Sequence, residues 1–383
     1  MGPGLYVHIP FCARKCFYCD FNAYVIKGPD RIAAYVDDVL AEADLHRRDP
    51  QVAGATFHTV FLGGGTPSRL PPAGVVRLLE GLGRRLSILP GAEITLEANP
   101  EDVSPEALVA WRRAGVNRLS MGVQAFQDDL LSRLGRNHDA AAALRAYRQA
   151  REAGFTNINV DLMFGLPGQT LAQWEETLTT LLRLDPPPDH VSVYGLQVEP
   201  RTTFWRWERE NRLPRPGEEE EAAMYETAMD RLAAAGYDHY EISNFARDGK
   251  YAEHNLAVWH FLEYLGLGAG AWSFWGGRRW ANAGFLRPYT EAVRAGRLPV
   301  AQRDEPRDER TAMGEMVLLG TRLLRGLDLD AFRRRFGREP TAVFRDALAY
   351  CRRRGWVAVV DDHLRLTREG LMVANNVWAE FLA

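Results

Sequence analysis

The stretch Cys12-Ala13-Arg14-Lys15-Cys16-Phe17-Tyr18-Cys19 decides how this chain is read. The sequence has 4 cysteines, and three of them fall within these eight residues. A secreted disulfide scaffold spreads its cysteines through the fold, whereas crowded cysteines read as ligands of one metal centre. Three thiolates suffice for three irons of a [4Fe–4S] cube and leave its fourth iron open to a small molecule. Zinc is the rival metal, but a structural zinc site wants a fourth Cys or His at short spacing. Cys351 is remote, in an Arg-rich helical stretch, and reads as a structural cysteine. His8 precedes the cluster but belongs to the first strand.

Working outward, the chain of 383 residues is 46% hydrophobic and 25% charged, which excludes a disordered or fibrous protein. Its net charge of −3 supplies no global field for nucleic acid or anionic lipid. No basic-then-apolar leader is recognisable, and no apolar run reaches the roughly 18 residues of a membrane span. Residues 262–274 come nearest and are broken by Glu263 and several Gly. The expectation is a cytoplasmic protein, with membrane contact peripheral at most. A reducing compartment also keeps such thiols free.

Apolar runs at 5–9, 59–62, 93–97, 118–121, 158–163 and 191–194 alternate with amphipathic helical patterns at 31–47, 72–86, 105–113, 140–153 and 171–184. This order predicts an α/β fold of βα units around a parallel sheet, either a partial barrel or a doubly wound sheet. After Pro200 the pattern changes. Residues 201–215 are charged and aromatic, and the acidic run 218–221 opens a helix through 235, where carboxylates suit the helix dipole. Residues 237–289 are rich in Gly and aromatics, and 299–306 read as a linker. Helices at 310–324, 329–336 and 340–354 follow, then a strand pair at 356–360 and 364–367 turning at Asp361-Asp362-His363, and a last helix from 368. That order is like a winged helix. Residues 301–383 hold 15 Arg against 13 acidic residues, too small a surplus for a DNA reader, so a lid or docking module is expected. Three domains are predicted: a core over 1–200, an extension over 201–300 and a C-terminal domain over 301–383.

In parallel α/β folds ligands gather at the carboxyl ends of the strands. The second strand ends in Gly63-Gly64-Gly65-Thr66-Pro67, where missing Cβ atoms let backbone approach a ligand. The later strands end near Glu97, Gln124 and Asp161, the last followed by Gly165-Leu166-Pro167, and Arg136 lies just beyond Gln124. Singly, each has a bland reading, as a carboxylate at a helix N-terminus or a surface cation.

Together the residues carry a resemblance. The Cys-x3-Cys-x2-Cys loop, with Tyr18 before its last Cys, is similar to that of the radical SAM superfamily. The resemblance implies that S-adenosylmethionine chelates the open iron through its amino and carboxylate groups, and that one electron cleaves it to a 5′-deoxyadenosyl radical. The segments Tyr6-Val7-His8-Ile9-Pro10, Thr95-Leu96-Glu97-Ala98-Asn99-Pro100, Asn117-Arg118-Leu119-Ser120-Met121-Gly122-Val123-Gln124 and Asp161-Leu162-Met163-Phe164-Gly165-Leu166-Pro167 resemble the anaerobic coproporphyrinogen dehydrogenase group within it. This implies a partial (βα)6, TIM-like barrel followed by a mainly helical, winged-helix-like domain. It also implies that Cys12, Cys16 and Cys19 hold the cluster and that Tyr6, Tyr18, Gly64, Gly65 and Thr66 contact S-adenosylmethionine. Arg136 and Glu97 would handle its amino-acid end, Asp161 its ribose, and Gln124 would help to fix it.

Two departures place the chain within that group. The dehydrogenases carry a further Cys two residues after the third, where this chain has Phe21, and a long N-terminal extension, where eleven residues precede Cys12. Both point to the heme-chaperone branch, whose His-Asn-x-x-Tyr-Trp motif is matched by His254-Asn255-Leu256-Ala257-Val258-Trp259, with Val258 in place of Tyr. The resemblance implies heme bound through His254, Asn255 and Trp259, a heme acceptor such as a respiratory cytochrome, and a reductant for the cluster. The alternatives are a true dehydrogenase, which decarboxylates porphyrinogen propionates, and a docking or regulatory protein.

Overall fold

Six parallel strands form the centre of the molecule, and apolar and polar residues largely alternate along them. The computed structural model describes residues 1–26, 28–304 and 308–382. Strands β1 (Gly4–Ile9), β2 (Phe11–Cys12), β3 (Tyr24–Val25), β4 (Thr56–Gly64), β5 (Ser87–Ala98), β6 (Arg118–Gln124), β7 (Ile158–Phe164) and β8 (His190–Gly195) come first. Then follow β9 (Asp238–Glu241), β10 (Asn244–Ala246), β11 (Tyr264–Leu267), β12 (Trp272–Trp275), β13 (Arg278–Asn282) and β14 (Val300–Arg303). A 12-stranded sheet runs in the order β14-β13-β12-β11-β1-β4-β5-β6-β7-β8-β10-β9. Within it β1 and β4 to β8 are parallel neighbours in chain order, as winding a partial barrel requires.

One face of these strands is apolar. Leu5, Val7, Val60, Leu62, Leu96, Leu119, Met121, Ile158, Val160, Val191 and Val193 pack with helical residues such as Val39, Leu78, Leu108, Tyr147 and Leu178 in one core. The other face is polar and turns inward: Thr59, Glu93, Glu97, Arg118, Ser120, Asn159, Asp161, His190 and Ser192 occupy the intervening positions. Strand side chains alternate between faces, so this lumen is a lined cavity, where a filled TIM-barrel core would carry Val, Ile and Leu.

The crossover helices are Pro29–His46, Pro72–Gly83, Pro105–Arg113, Ala140–Glu152 and Leu171–Leu182, close to their predicted bounds. Their starts follow local chemistry. Ser104 and Asp139 accept from Ala107 N and Ala142 N, and Thr170 with Gln173 makes a capping box. Each such cap is worth about 1 kcal/mol.

The Gly- and aromatic-rich segment holds β9 to β13: β11 lies parallel beside β1 and is continued by antiparallel β12 and β13, while antiparallel β10 and β9 extend the sheet beyond β8. The predicted linker at 299–306 instead carries β14, paired with β13; its residues 305 and 306 lie outside the described ones. In the C-terminal region Glu309–Gly320 and Leu329–Phe336 are helices, and a 3-stranded sheet has the order β15 (Leu327–Asp328), β17 (His363–Leu366), β16 (Val357–Val360). The predicted helix at 340–354 is broken into Pro340–Val343 and Arg345–Arg353 at Phe344, whose ψ is 34°. Asp361 and Asp362 turn the hairpin with φ of 49° and 58°, the paired positive values of a tight hairpin turn. A second core of Val317, Phe332, Leu348, Val377 and the fully buried Cys351 takes in Phe261 and Phe274 from the sheet extension. Among the described residues no helix is long and apolar enough to cross a membrane.

Candidate cluster and cofactor site

A cavity of about 570 Å³ opens at the carboxyl ends of the parallel strands and is lined by Cys12, Cys16 and Cys19. The loop that carries them is tethered at several points. It leaves through β2 and returns through β3, which pair with each other; Phe17 N donates to Leu134 O at 3.0 Å, and Phe17 packs on Phe204 and Trp207. His8 Nε2 lies 2.9 Å from Asn22 O, and Asn22 Nδ2 donates to Ala269 O and Gly284 O, so the loop's exit is held from two sides.

All three thiols are free, and burial pushes Cys19 up to about 11 and raises Cys12, with neighbouring thiols adding to both. Cys12 Sγ lies 3.4 Å from Thr66 Oγ1, and Arg136 Nη1 reaches Cys16 Sγ at 3.6 Å. The donor set fits an iron–sulfur cube: soft sulfurs on one loop with a guanidinium beside them. Among the described residues no three His, Cys, Asp or Glu converge on a single metal ion. A cube makes no such demand, because each thiolate takes a different iron.

Tyr18, Gly64, Gly65, Thr66, Glu97, Gln124, Arg136 and Asp161 all line this cavity, so most of the strand-end residues come together. Arg136 follows the helix Asp128–Leu134, whose left-handed cap at Gly135 turns the chain back. Its Nη2 donates to Asn99 Oδ1 at 2.7 Å and Gly122 O at 2.6 Å. A Cβ on Gly122 would come within 3.3 Å of Gln124, Arg136 and Asn99, so glycine leaves room for all three. Gln124 has φ of 71°, at a register shift between β6 and β7 that re-aims its side chain. Glu97 accepts from Gly64 N at 3.0 Å, and Gly64, with φ of 114°, adopts a backbone that glycine favours. Burial and then Asp161 push the Glu97 carboxyl up to about 8. Burial also raises Asp161, which accepts from Asn159 Nδ2 at 2.8 Å.

Tyr6 is placed differently from the expectation. It points into the lumen one layer below the cavity, its hydroxyl 3.0 Å from His8 Nδ1 and its ring stacked near Phe61. Sequence reading missed the cavity floor, made of Arg118, Ser120, Asn159, Ser192 and Asn255, and also Asn99 on its wall. Arg118 is 2% exposed, 3.8 Å from Glu93. The signal was present: polar residues at every second position of β6 and β7.

The residues of the His-Asn-x-x-x-Trp segment form the helix Glu253–Trp259, which closes the amino-terminal end of the barrel. Glu93 accepts from Glu253 N and His254 N, both at 3.1 Å. His254 is 6% exposed, and its Nδ1 lies 2.8 Å from Thr59 Oγ1. Burial and Arg118 push it down to about 4, so the ring is neutral. Asn255 faces the cluster cavity, whereas Trp259 packs elsewhere, under the Arg322 guanidinium at 4.3 Å. The structure therefore does not bring these three side chains onto one surface.

Comparison with known proteins agrees with this geometry. Residues 6–181 match the radical SAM superfamily, and residues 308–373 match the HemN C-terminal domain. The chain is 39% identical to the heme chaperone HemW of Bacillus subtilis (strain 168), over 98% of both chains. It is 34% identical to the heme chaperone HemW of Lactococcus lactis, over 98% of this chain and 96% of the relative. Among solved structures, the coproporphyrinogen III oxidase HemN from Escherichia coli, described as a radical SAM enzyme, superposes with a TM-score of 0.84 at 25% identity. The match covers 99% of this chain and 90% of that one.

Proposed function

Since this chain belongs to the HemW family of radical SAM proteins, we propose that it binds heme and passes it to an acceptor protein. The observation that carries the reading is the likeness to relatives named heme chaperones along nearly the whole of both chains. Phe21, standing where the dehydrogenases have a further Cys, supports it.

As a radical SAM protein it takes a [4Fe–4S] cluster and S-adenosylmethionine as cofactors. In this reading Cys12, Cys16 and Cys19 take three irons. Tyr18 and the Gly64–Thr66 backbone flank S-adenosylmethionine, with Tyr6 supporting them from below. Arg136 and Glu97 receive its amino-acid end, Asp161 its ribose, and Gln124 fixes its position. When bound, the pair supplies one-electron chemistry at a sulfonium centre. The chain's own contribution is to orient and to exclude water: Arg136 is locked by Asn99 and Gly122, and the lumen below is closed by the helix Glu253–Trp259. The acceptor is a cytochrome of respiration, met in the cytoplasm or at the membrane surface. The reading also divides the chain near residues 200 and 300.

Two titrations on one anaerobic, cluster-loaded sample test this. Heme should give a saturable Soret band, and coproporphyrinogen III with reductant and S-adenosylmethionine should give no protoporphyrinogen. Absence of saturable heme binding overturns the chaperone reading, and product formation replaces it with the dehydrogenase.

A further inference from the structure

We infer that a small carrier protein with an acidic face docks against the outside of the cluster loop and delivers one electron to the cluster through Cys12. The inference rests on the placement of the cluster on Cys12, Cys16 and Cys19 proposed above, and is independent of the heme reading. A hollow of about 430 Å³ lies beside the loop, and Cys12 is the one lining residue it shares with the cofactor cavity. Cys12 is thus the partition between an inner cavity and an outer hollow.

The local fold makes this partition. Phe11 is buried and meets Tyr35 edge-on at 5.1 Å, which pins the short ribbon of β2 and β3 to the helix Pro29–His46. Cys12 follows at once, in register with Val25, which is 53% exposed. Ala13, Val25, Ile26, Ile32 and Pro71 give the hollow an apolar wall. Phe21 and Phe285, 60% and 74% exposed, flank the loop's exit, where Asn22 Nδ2 and Tyr24 OH donate to Gly284 O. Monomeric surfaces rarely gather large apolar side chains in this way without a partner.

The rim carries positive charge. Arg69 is the single charged residue on the lining, and it pairs with Asp102. Arg14 and Arg31 are exposed, adjoin the lining residues Ala13 and Ile32, and make no ion pair among the described residues. Arg14 is steadied over the Phe17 ring at 5.1 Å, and Lys15 Nζ donates to Phe21 O at 3.2 Å. Asp20 is the acidic residue of the loop. Residues 12–32 hold four cations against two acids, whereas the whole chain carries −3. An apolar centre inside a charged rim, on a small area, is the build of a transient electron-transfer interface. Its charge selects an acidic partner and speeds the encounter.

Position selects a redox partner. With S-adenosylmethionine in the inner cavity, that approach to the cluster is filled, while the hollow still reaches a cluster ligand from outside. One electron leaves the reduced carrier and enters the cluster by way of the Cys12 sulfur. The carrier is oxidised by one electron, the cluster is reduced by one, and no bond or proton moves.

The test uses the cluster-loaded full chain without oxygen, and flavodoxin, an acidic flavin carrier, as the probe. Binding is read from the anisotropy of labelled oxidised flavodoxin, and reduction from the bleaching of cluster absorbance by its hydroquinone. Wild type binds saturably and is bleached at a rate that falls as salt is added. Arg14→Glu combined with Arg31→Glu lowers affinity and rate at least about tenfold, and Val25→Asp lowers both by about as much. Iron content stays at the wild-type value in each, and dithionite, a reductant that needs no docking, bleaches each within about threefold of wild type. Arg84→Glu combined with Arg113→Glu makes the same change of charge where two crossover helices end at the opposite mouth of the barrel, and stays within about threefold of wild type. Hollow variants that match wild type, equal slowing by both double variants, or a rate indifferent to salt overturn the inference. So does a wild-type cluster that dithionite reduces and flavodoxin does not. If Val25→Asp splits a wild-type dimer in sedimentation and leaves flavodoxin binding unchanged, the face is a contact between copies and the inference is overturned. If wild type takes up no iron, the cluster placement itself has failed and takes this inference with it.

Discussion

Glu97 and Asp161 face one lumen, and the buried Arg118 beside them draws both carboxyls down against the push of burial. A carboxyl held at about 8 in the folded chain and near 4.5 in the unfolded one keeps its proton longer when folded. Stability therefore falls as pH rises from about 4.5 to 8, because the folded state must give up a proton that the unfolded state has already lost. Glu97→Gln removes this burden. We expect it to stabilise the cluster-free protein at pH 8 by about 1–2 kcal/mol, because the half-buried group at a cavity wall feels less than a dry site imposes. The same variant should bind S-adenosylmethionine more weakly. Denaturant melts at pH 5 and pH 8 decide the matter: an equal change at both pH values, or a loss at pH 8, refutes the electrostatic account. Cys16→Ala makes a second check at this scale. It should abolish bound iron and visible absorption after reconstitution, and retention of both would remove the cluster from the loop.

The helix Glu253–Trp259 shows what an element can do when its charges are fixed from outside. Its first amides bond the Glu93 carboxylate, and His254 is buried neutral beneath Thr59 and near Arg118. A histidine at about 4 when folded and near 6.5 when unfolded leaves the unfolded state holding the extra proton between those values. Stability then drops as pH falls from about 6.5 to 4, by up to about 3 kcal/mol from this residue. His254→Asn should flatten that drop, and an unchanged pH profile for the variant would show that the drop arises elsewhere, for instance at His8 or His190, which burial also lowers. Elements differ in how plainly the chain announces them. The helix Pro105–Arg113 was legible to the residue, because Ser104 caps it and Pro105 can only start it. Strands β9 to β14 were not legible as a sheet, because they are short, rich in Gly and aromatics, and are joined to the rest of the sheet through β11 on β1 and β10 on β8. The helix break at Phe344 was equally invisible, since its ring is committed to a core assembled from Phe381 and other distant residues. The strand ends disclosed the cavity wall, because Glu97 and Gln124 stand at or next to the last residue of their strands and Asp161 lies on the polar face of β7. The floor stayed hidden, since Arg118 and Asn255 meet only when the barrel closes.

At the scale of the whole molecule, the C-terminal region and the barrel share one seam, and Arg322 is its pivot. Residues 322–324 pair with the edge of the sheet: Ile242 N donates to Arg322 O, Leu324 N to Tyr240 O, and Glu241 bridges to Leu323. The Arg322 guanidinium lies 4.3 Å over Trp259 and 5.5 Å over Trp378, so it joins the barrel-closing helix to the last helix of the chain. It also meets Glu241, a carboxylate with 0% exposure, at 3.5 Å. Removing one partner of such a pair leaves a charge in a low-dielectric interior, a cost of about 3–5 kcal/mol, whereas replacing both with neutral groups of similar shape costs far less. We therefore expect Arg322→Ala to destabilise the protein by about that much, and Glu241→Gln combined with Arg322→Leu to recover most of it. The loss should be felt on both sides of the seam, because Phe261 and Phe274 of the sheet extension belong to the C-terminal core and would be exposed as that core loosens. Thermal melts followed in the near-ultraviolet should show a single transition in wild type and a split one in Arg322→Ala, the earlier step carrying the tryptophan signal. A single transition in Arg322→Ala at the wild-type midpoint would mean that apolar packing alone holds the seam and the buried pair contributes nothing to its stability.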